Sequence, residues 1–322
     1  MRLTCAFATS MDTPGHIRVA ESLGYERAWC YDSPALYPDV WVQLCRAAER
    51  TSAIGLGPGV LIPSLRHPMV TAAAIGTLVA IAGQERVAVA VGSGFTGRFT
   101  LGQRPLRWAD VVTYVQVVRA LLRGETTDWD GGRIQMLHPA GFGPARPVEV
   151  PFLLAAAGPK GIAAAREIAD GLFIAAPVPV AGFAWEACLF PGTVLREGET
   201  IDAPRVMASA GHTVPVGYHF VAEHRLSHEH IPGFGDWLRA YDDVPAAERH
   251  LAMHDLHMID VNDRDRPFVT PAHIQGLGRA WTPAQLRERL AALEAAGVTD
   301  IAFQPAGDIR AELEAFAAAA RG

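Results

Sequence analysis

The residues best suited to chemistry lie in two glycine-punctuated stretches. The first is Ala157-Gly158-Pro159-Lys160-Gly161. Its glycines let the backbone come close to a ligand, and Pro159 suits the first turn of a helix, where its missing N–H costs nothing. The free N–H groups that remain, with the helix dipole, then face an anion, and Lys160 adds a point charge. Lys160 is the single lysine among 28 basic residues. The stretch reads as a phosphate site; an ordinary proline-initiated helix with a solvated lysine would use the same residues. The second stretch runs from Ile54 to Met69. Its apolar run is broken by Gly55, Gly57, Pro58 and Gly59, leaves through Pro63 and turns into a helix after Pro68. Proline gives up a ladder hydrogen bond, and glycine inside a strand marks a bulge or a close backbone approach. Either the backbone at Gly59-Val60 bulges at the strand's C-terminal end to lie against a flat ligand, or this is a tight strand-to-helix connection.

Histidines form a third group. His250, His254 and His257 fall at i, i+4 and i+7 in a segment that reads as a helix over 246–259, with Asp255 beside them. Three imidazoles on one face could bind a metal. Without the glutamate of His-Glu-x-x-His, however, the spacing reads better as a polar face or a lid lining a substrate pocket. No metal is expected.

The elements that must position these residues alternate. Strands are expected over 3–8, 27–31, 54–60, 86–91, 151–156, 172–175, a weaker 186–195, and 299–303. Helices are expected over 14–23, 39–50, 69–82, 108–122, 159–169, 203–221 with a kink at Pro215, 283–296, and 309–320. The spacing turns Val42, Cys45 and Ala48 inward in one helix, and Val111, Val115, Val118 and Leu122 in another. A hairpin turning at Asp130-Gly131-Gly132 would pack Trp129 and Met136 on the outside. The stretch 224–282 breaks the pattern and reads as a helical insertion before the last strand, within one domain spanning 1–322. Eight apolar strands, each joined to a helix, predict a parallel α/β sheet closed as a (β/α)8 TIM barrel. An open dinucleotide-binding sheet would carry Gly-x-Gly-x-x-Gly after strand one, where this chain has residues 8–13 without glycine. In such a barrel the chemistry lies in the loops after the strands.

Composition narrows the class of partner. The chain has 322 residues, 50% of them hydrophobic and 19% charged, so a large core is available. A net charge of −6 without a basic run argues against nucleic acid. No apolar run approaches the ~18 residues of a membrane span, and the N-terminus shows no leader, so a soluble, cytoplasmic protein is expected. Cys5, Cys30, Cys45 and Cys188 are scattered and read as apolar filler in a reducing compartment.

Three motifs together resemble the bacterial luciferase-like superfamily of flavin- and F420-dependent oxidoreductases, most of all its methylenetetrahydromethanopterin reductase branch. They are Gly57 to Pro63 with Arg66-His67-Pro68, then Gly92-Ser93-Gly94, then Ala155 to Gly161 with Ala169-Asp170-Gly171 beyond. The resemblance covers roughly 1–220 and 283–320. It implies a (β/α)8 barrel enzyme moving a hydride between coenzyme F420 and a small organic substrate. FMN with a monooxygenase activity is the alternative, and a non-catalytic flavin-binding barrel a third. It further implies a non-proline cis peptide at Gly59-Val60 against the ring, and Ser93 and Gly94 flanking the cofactor's polar tail. Gly158, Pro159, Lys160 and Gly161 would bind its phosphate, with Arg98 as a second phosphate ligand. A homodimer is suggested. Relatives with F420 often carry an Asp-His-like pair after strand two; here Asp32-Ser33 stands there, leaving Asp32, Ser33 or a bound water as the acid/base candidates.

Overall fold

In the computed structural model, residues 1–175 and 182–322 are described. Eight parallel strands close into a barrel: β1 Arg2–Phe7, β2 Arg27–Cys30, β3 Gly55–Leu61, β4 Val89–Gly92, β5 Phe152–Ala155, β6 Gly171–Ile174, β7 Glu186–Pro191 and β8 Asp300–Gln304. Each strand pairs with its sequence neighbours, and β8 returns to β1 with Arg2 opposite Asp300 and Cys5 opposite Phe303. The expected fold is therefore present, and its weaker seventh strand is a full stave, five residues of which pair with β8.

Outside the barrel run α1 Thr13–Ser22, α2 Val40–Ala48, α3 Pro68–Ala82, α4 Trp108–Arg123 and α5 Pro159–Ile168. Their apolar stripes and the outward faces of the strands make one core, in which Val111, Val115, Val118 and Leu122 are all buried. The hairpin Thr127–Trp129 with Gly132–Ile134 packs Trp129 on Tyr114, and Met136 is buried outside the barrel. The interior holds a smaller set. Trp29 meets Phe173 edge-on at 5.3 Å between ring centroids, surrounded by Ala6, Ala88, Ala90, Ala187 and Ala302. These alanines make room for the two large rings.

That filling explains the punctuation of β3. A Cβ on Gly57 would lie 1.8 Å from the Ala88 carbonyl oxygen, and one on Gly59 2.9 Å from Trp29 Cβ. Glycine lets β3 pass that close to β4 and to the indole. The register with β4 then slips between Gly59 and Leu61, and the Gly59-Val60 peptide is cis, as the resemblance implied.

Three local expectations differ. Val42 is exposed, because Asp39 caps α2 by accepting from the Trp41 and Val42 N–H groups; Val40, Trp41, Leu44 and Ala47 then face inward. The helix expected over 203–221 is two, α6 Pro204–Ala210 and α7 Thr213–His224. The break falls at Gly211-His212, and Pro215 sits in the first turn of α7, where a missing N–H is harmless. The helix expected over 246–259 is only Arg249–Met253, so His250, His254 and His257 do not share a helical face. Its continuation passes through Leu256 and Met258, both with positive φ.

The excursion after β7 is large. At Gly192 the chain leaves the barrel, and Thr193–Val194 pairs with Ala280–Trp281 in a two-stranded ribbon. Between them, α6, α7, α8 (Phe234–Arg239), α9 (Arg249–Met253) and α10 (Pro271–Gly276) build a second core of Ala210, Val214, Tyr218, Phe234, Trp237, Tyr241, Met253 and Ile274. The insertion's packing therefore reaches back upstream of residue 224. The helix that completes the seventh unit is α11 Pro283–Ala295, followed after β8 by α12 Ile309–Arg321. Thr282 and Gln285 close α11 with reciprocal side-chain bonds to each other's backbone N–H. Thr282→Ala should cost about 1 kcal/mol, read as a lower urea midpoint with an unchanged slope.

Candidate active site

The C-terminal ends of β3, β4 and β5 are consecutive on the rim, because β4 pairs with both neighbours. The sequence-derived site residues follow that arc. Near the end of β3, Val60 is the half-buried residue of the bulge itself. It is one of several partly exposed side chains over the interior plug, with Tyr31, Ala155 and Leu189. Gly92, the last residue of β4, keeps this surface open, since a Cβ there would lie 2.8 Å from Val60 Cγ2 and 3.5 Å from Ala155 Cβ. The Tyr31 hydroxyl is buried and has no hydrogen-bond partner among the described residues.

Ser93 and Gly94 open the loop after β4. The Ser93 carbonyl accepts from Leu106 N at 2.8 Å. Gly94 has φ +86°, and a Cβ there would meet Arg98 Cγ at 2.8 Å and Ile62 Cγ2 at 2.9 Å, so glycine is required on both counts. Arg98 is held locally, donating to Ser64 Oγ and to the Arg104 carbonyl, each at 2.5 Å.

At the end of β5, Gly158 is the N-cap of α5 and offers no side chain to its N–H groups. Pro159 begins the helix, and residues 158–160 are exposed. Among the described residues, a Cβ added at Gly158 meets nothing within 4 Å. Gly161 is the opposite case, buried so that a Cβ would strike Trp108 Cζ2 at 2.7 Å. One glycine leaves room outside; the other seats the helix on α4.

After β2, Asp32 is 3% exposed and Ser33 8%. Asp32 accepts from Arg66 Nη1 at 2.8 and 2.6 Å and from Ile62 N at 3.4 Å. Arg66 Nη2 reaches Asp39 Oδ2 at 2.7 Å, so one guanidinium ties the β2 loop to the exit of β3. Burial pushes the Asp32 carboxyl upward, more than Arg66 pulls it down. Asp32 is thus committed to Arg66, and Ser33 lies beneath the loop after β4, 3.3 Å from where a Gly97 Cβ would stand.

The insertion roofs this rim. Tyr37, after β2, donates to the His257 carbonyl. Thr96, after β4, bonds His257 Nε2 at 3.1 Å, and Gln304, ending β8, donates to the Met258 carbonyl at 3.2 Å. Three buried imidazoles gather here: His219, His254 and His257. Sequence spacing grouped His250 with the last two. His219 comes from α7, with no local signal linking it to the others. Arg66 and Tyr31 likewise gain their importance only through partners distant in sequence.

Fold and rim together define a (β/α)8 barrel with its binding face at the strand C-termini. Residues 11–300 match the family of luciferase-like monooxygenases, and the chain belongs to that family. Among curated relatives it is 31% identical over 168 residues to the 5,10-methylenetetrahydromethanopterin reductase of Archaeoglobus fulgidus, covering 51% of this chain and 49% of that one. It is also 31% identical over 175 residues to the F420-dependent glucose-6-phosphate dehydrogenase of Beutenbergia cavernae, covering 48% and 49%. The matched part spans about half the length of these relatives. Among solved structures, the F420-dependent tetrahydromethanopterin reductase of Methanopyrus kandleri shares the fold with a TM-score of 0.68, at 19% identity over 98% of this chain and 97% of that one. An F420-dependent secondary alcohol dehydrogenase in complex with an F420-acetone adduct gives 0.67 at 18% identity, covering all of both chains. Among the described residues no helix is long and apolar enough to cross a membrane.

Proposed function

We propose that this chain is an F420-dependent oxidoreductase acting on a small organic molecule. The observation that carries the reading is the arc of three consecutive strand ends: an apolar, bulged seat at Val60, a glycine loop at Ser93-Gly94, and an open, uncapped helix head at Gly158. A flat ring with an anionic tail fits such a surface. Val60 would support one face of the ring, with Gly59 giving the close approach and Gly92 the clearance. The free N–H groups at the start of α5 and Lys160 suit a phosphate. Pro159 begins that helix without wasting a donor, and Gly161 fixes its seat. Ser93 and Gly94 would flank the tail, with Arg98 turning from Ser64 to serve it.

When bound, the deazaflavin supplies a hydride donor or acceptor. The protein's share is to bind, to orient and to exclude water. Asp32 holds Arg66 against the β2 and β3 loops, and Ser33 or a water beside it supplies a proton. The roof around His257 closes the mouth to solvent. The methylenetetrahydromethanopterin reductases and the glucose-6-phosphate dehydrogenase among the relatives support F420 over FMN. Titrating the apo-protein with F420 and with FMN in parallel, by fluorescence, tests this. Micromolar binding of F420 with weak or no binding of FMN is expected; selective binding of FMN would overturn the assignment.

A further inference from the structure

We infer that His219, His254 and His257 form a binding site for one divalent transition-metal ion of the zinc or cobalt type, which pins the insertion across the barrel mouth.

The three side chains are 1%, 0% and 5% exposed. His257 Nδ1 lies 3.2 Å from His219 Nδ1 and 3.4 Å from His254 Nδ1, and one nitrogen from each of the three rings falls within 4.8 Å of the other two. Two nitrogens on a tetrahedral zinc, each about 2.0–2.1 Å from it, stand roughly 3.3 Å apart. The ring nitrogens facing outward each have a polar neighbour. His254 Nε2 meets Glu223 Oε1 at 2.5 Å, His219 Nε2 is 3.5 Å from Asp265 Oδ2, and His257 Nε2 is 3.1 Å from Thr96 Oγ1. This is the arrangement by which outer partners fix the tautomer of metal-binding imidazoles. Asp265 is itself held by Trp237 Nε1 at 2.6 Å, Tyr241 Oη at 2.8 Å and Asn262 Nδ2 at 2.9 Å.

Protein atoms alone leave the cluster unsatisfied. With the His254 proton on Nε2 toward Glu223, its Nδ1 offers a lone pair to His257 Nδ1. A single proton on His257 Nδ1 can point along only one of its two short contacts. The surrounding charge points the same way. The Glu223 and Asp265 side chains are 8% and 3% exposed, and among the described residues neither has an arginine or lysine ion-pair partner. A cation held by the three imidazoles would have these two buried carboxylates as its outer neighbours. Neutral imidazole nitrogens select zinc, cobalt, nickel or copper over magnesium or calcium. Three protein ligands leave a fourth position for water.

The metal would join α7 through His219, the end of α9 through His254, and the segment at His257 that Tyr37, Thr96 and Gln304 already tie to the rim. Its expected effect is to order the roof.

Elemental analysis of the protein purified without chelators should find close to one equivalent of a transition metal per chain. After chelator treatment, Co2+ should bind one-to-one with the visible ligand-field bands of a nitrogen-rich tetrahedral site, and Zn2+ should bleach them. Metal should raise the Tm of the wild-type protein. His254→Gln and His257→Asn should each abolish the cobalt bands, whereas His250→Ala, on the same helix as a control, should keep them. Absence of stoichiometric metal and of any Co2+ binding at micromolar concentration in the wild-type protein would overturn the site whether or not the variants fold. So would bands that persist in both ligand variants. None of these readouts depends on F420.

Discussion

Gly158→Asp is expected to weaken F420 binding roughly 10- to 100-fold while leaving the fold intact. Gly158 is the N-cap of α5, with φ −89° and ψ 163°, and among the described residues nothing lies within 4 Å of an added Cβ. Aspartate is at home in that conformation and is a preferred N-cap, so the helix should gain rather than lose stability. The same carboxylate would accept from the N–H groups proposed to hold the cofactor's phosphate, and would repel that phosphate. Affinity and stability should therefore move in opposite directions, which no general damage to the protein would produce. Lys160→Ala should show a smaller loss, because Lys160 is exposed and screened by solvent. Fluorescence titration gives the affinity and thermal melting the stability. Unchanged affinity in both variants would remove the phosphate-site assignment.

Arg66→Leu should destabilise the protein by about 3–5 kcal/mol. The change strands Asp32, which is 3% exposed and loses both short contacts to Arg66 Nη1. It also frees Asp39 from its ion pair, although Asp39 keeps its cap bonds to α2. The sign of the pH dependence follows from Asp32. Its folded pKa already lies above the ordinary value, because burial outweighs the pull of Arg66. A carboxyl of this kind contributes stability that is fully present below its unfolded pKa, near 4, and is lost as pH rises through the folded value. Removing Arg66 raises the folded value further. The deficit of Arg66→Leu should thus be small in acid, begin to grow only once pH passes the raised folded pKa of wild-type Asp32, and level off once Asp32 is charged in the variant as well. Urea midpoints of variant and wild type, compared across that range, measure it. Adding Asp32→Asn to the variant should flatten the curve. A deficit independent of pH would mean that packing of the Arg66 stem, not the buried charge, is what the residue contributes.

Much of the barrel is determined by residues close together in sequence. Apolar runs separated by helical stripes place all eight strands, because burial on both faces leaves a strand no polar alternation. Gly57 and Gly59 mark the bulge in the sequence, since a Cβ at either would strike Ala88 or Trp29. Gly158-Pro159 likewise announces the head of α5. The phase of α2 was legible in principle, as Asp39 is its cap; the apolar spacing alone pointed Val42 inward, and the cap turned it out.

Tertiary structure decided the rest. Asp32 and Arg66 are 34 positions apart and meet because β2 and β3 lie side by side, so the pairing has no periodicity to betray it. The histidines are the sharper case. A helical reading joined His250 to His254 and His257, but the helix ends at Met253 and the chain turns through two residues of positive φ. The third imidazole is instead His219, 38 positions before His257, delivered by a separate helix. Helix and strand patterns are written by interactions a few residues long. Which side chains meet inside a roof is set by how that roof closes on the barrel, through contacts such as Tyr37, Thr96 and Gln304, which only the folded chain brings within reach.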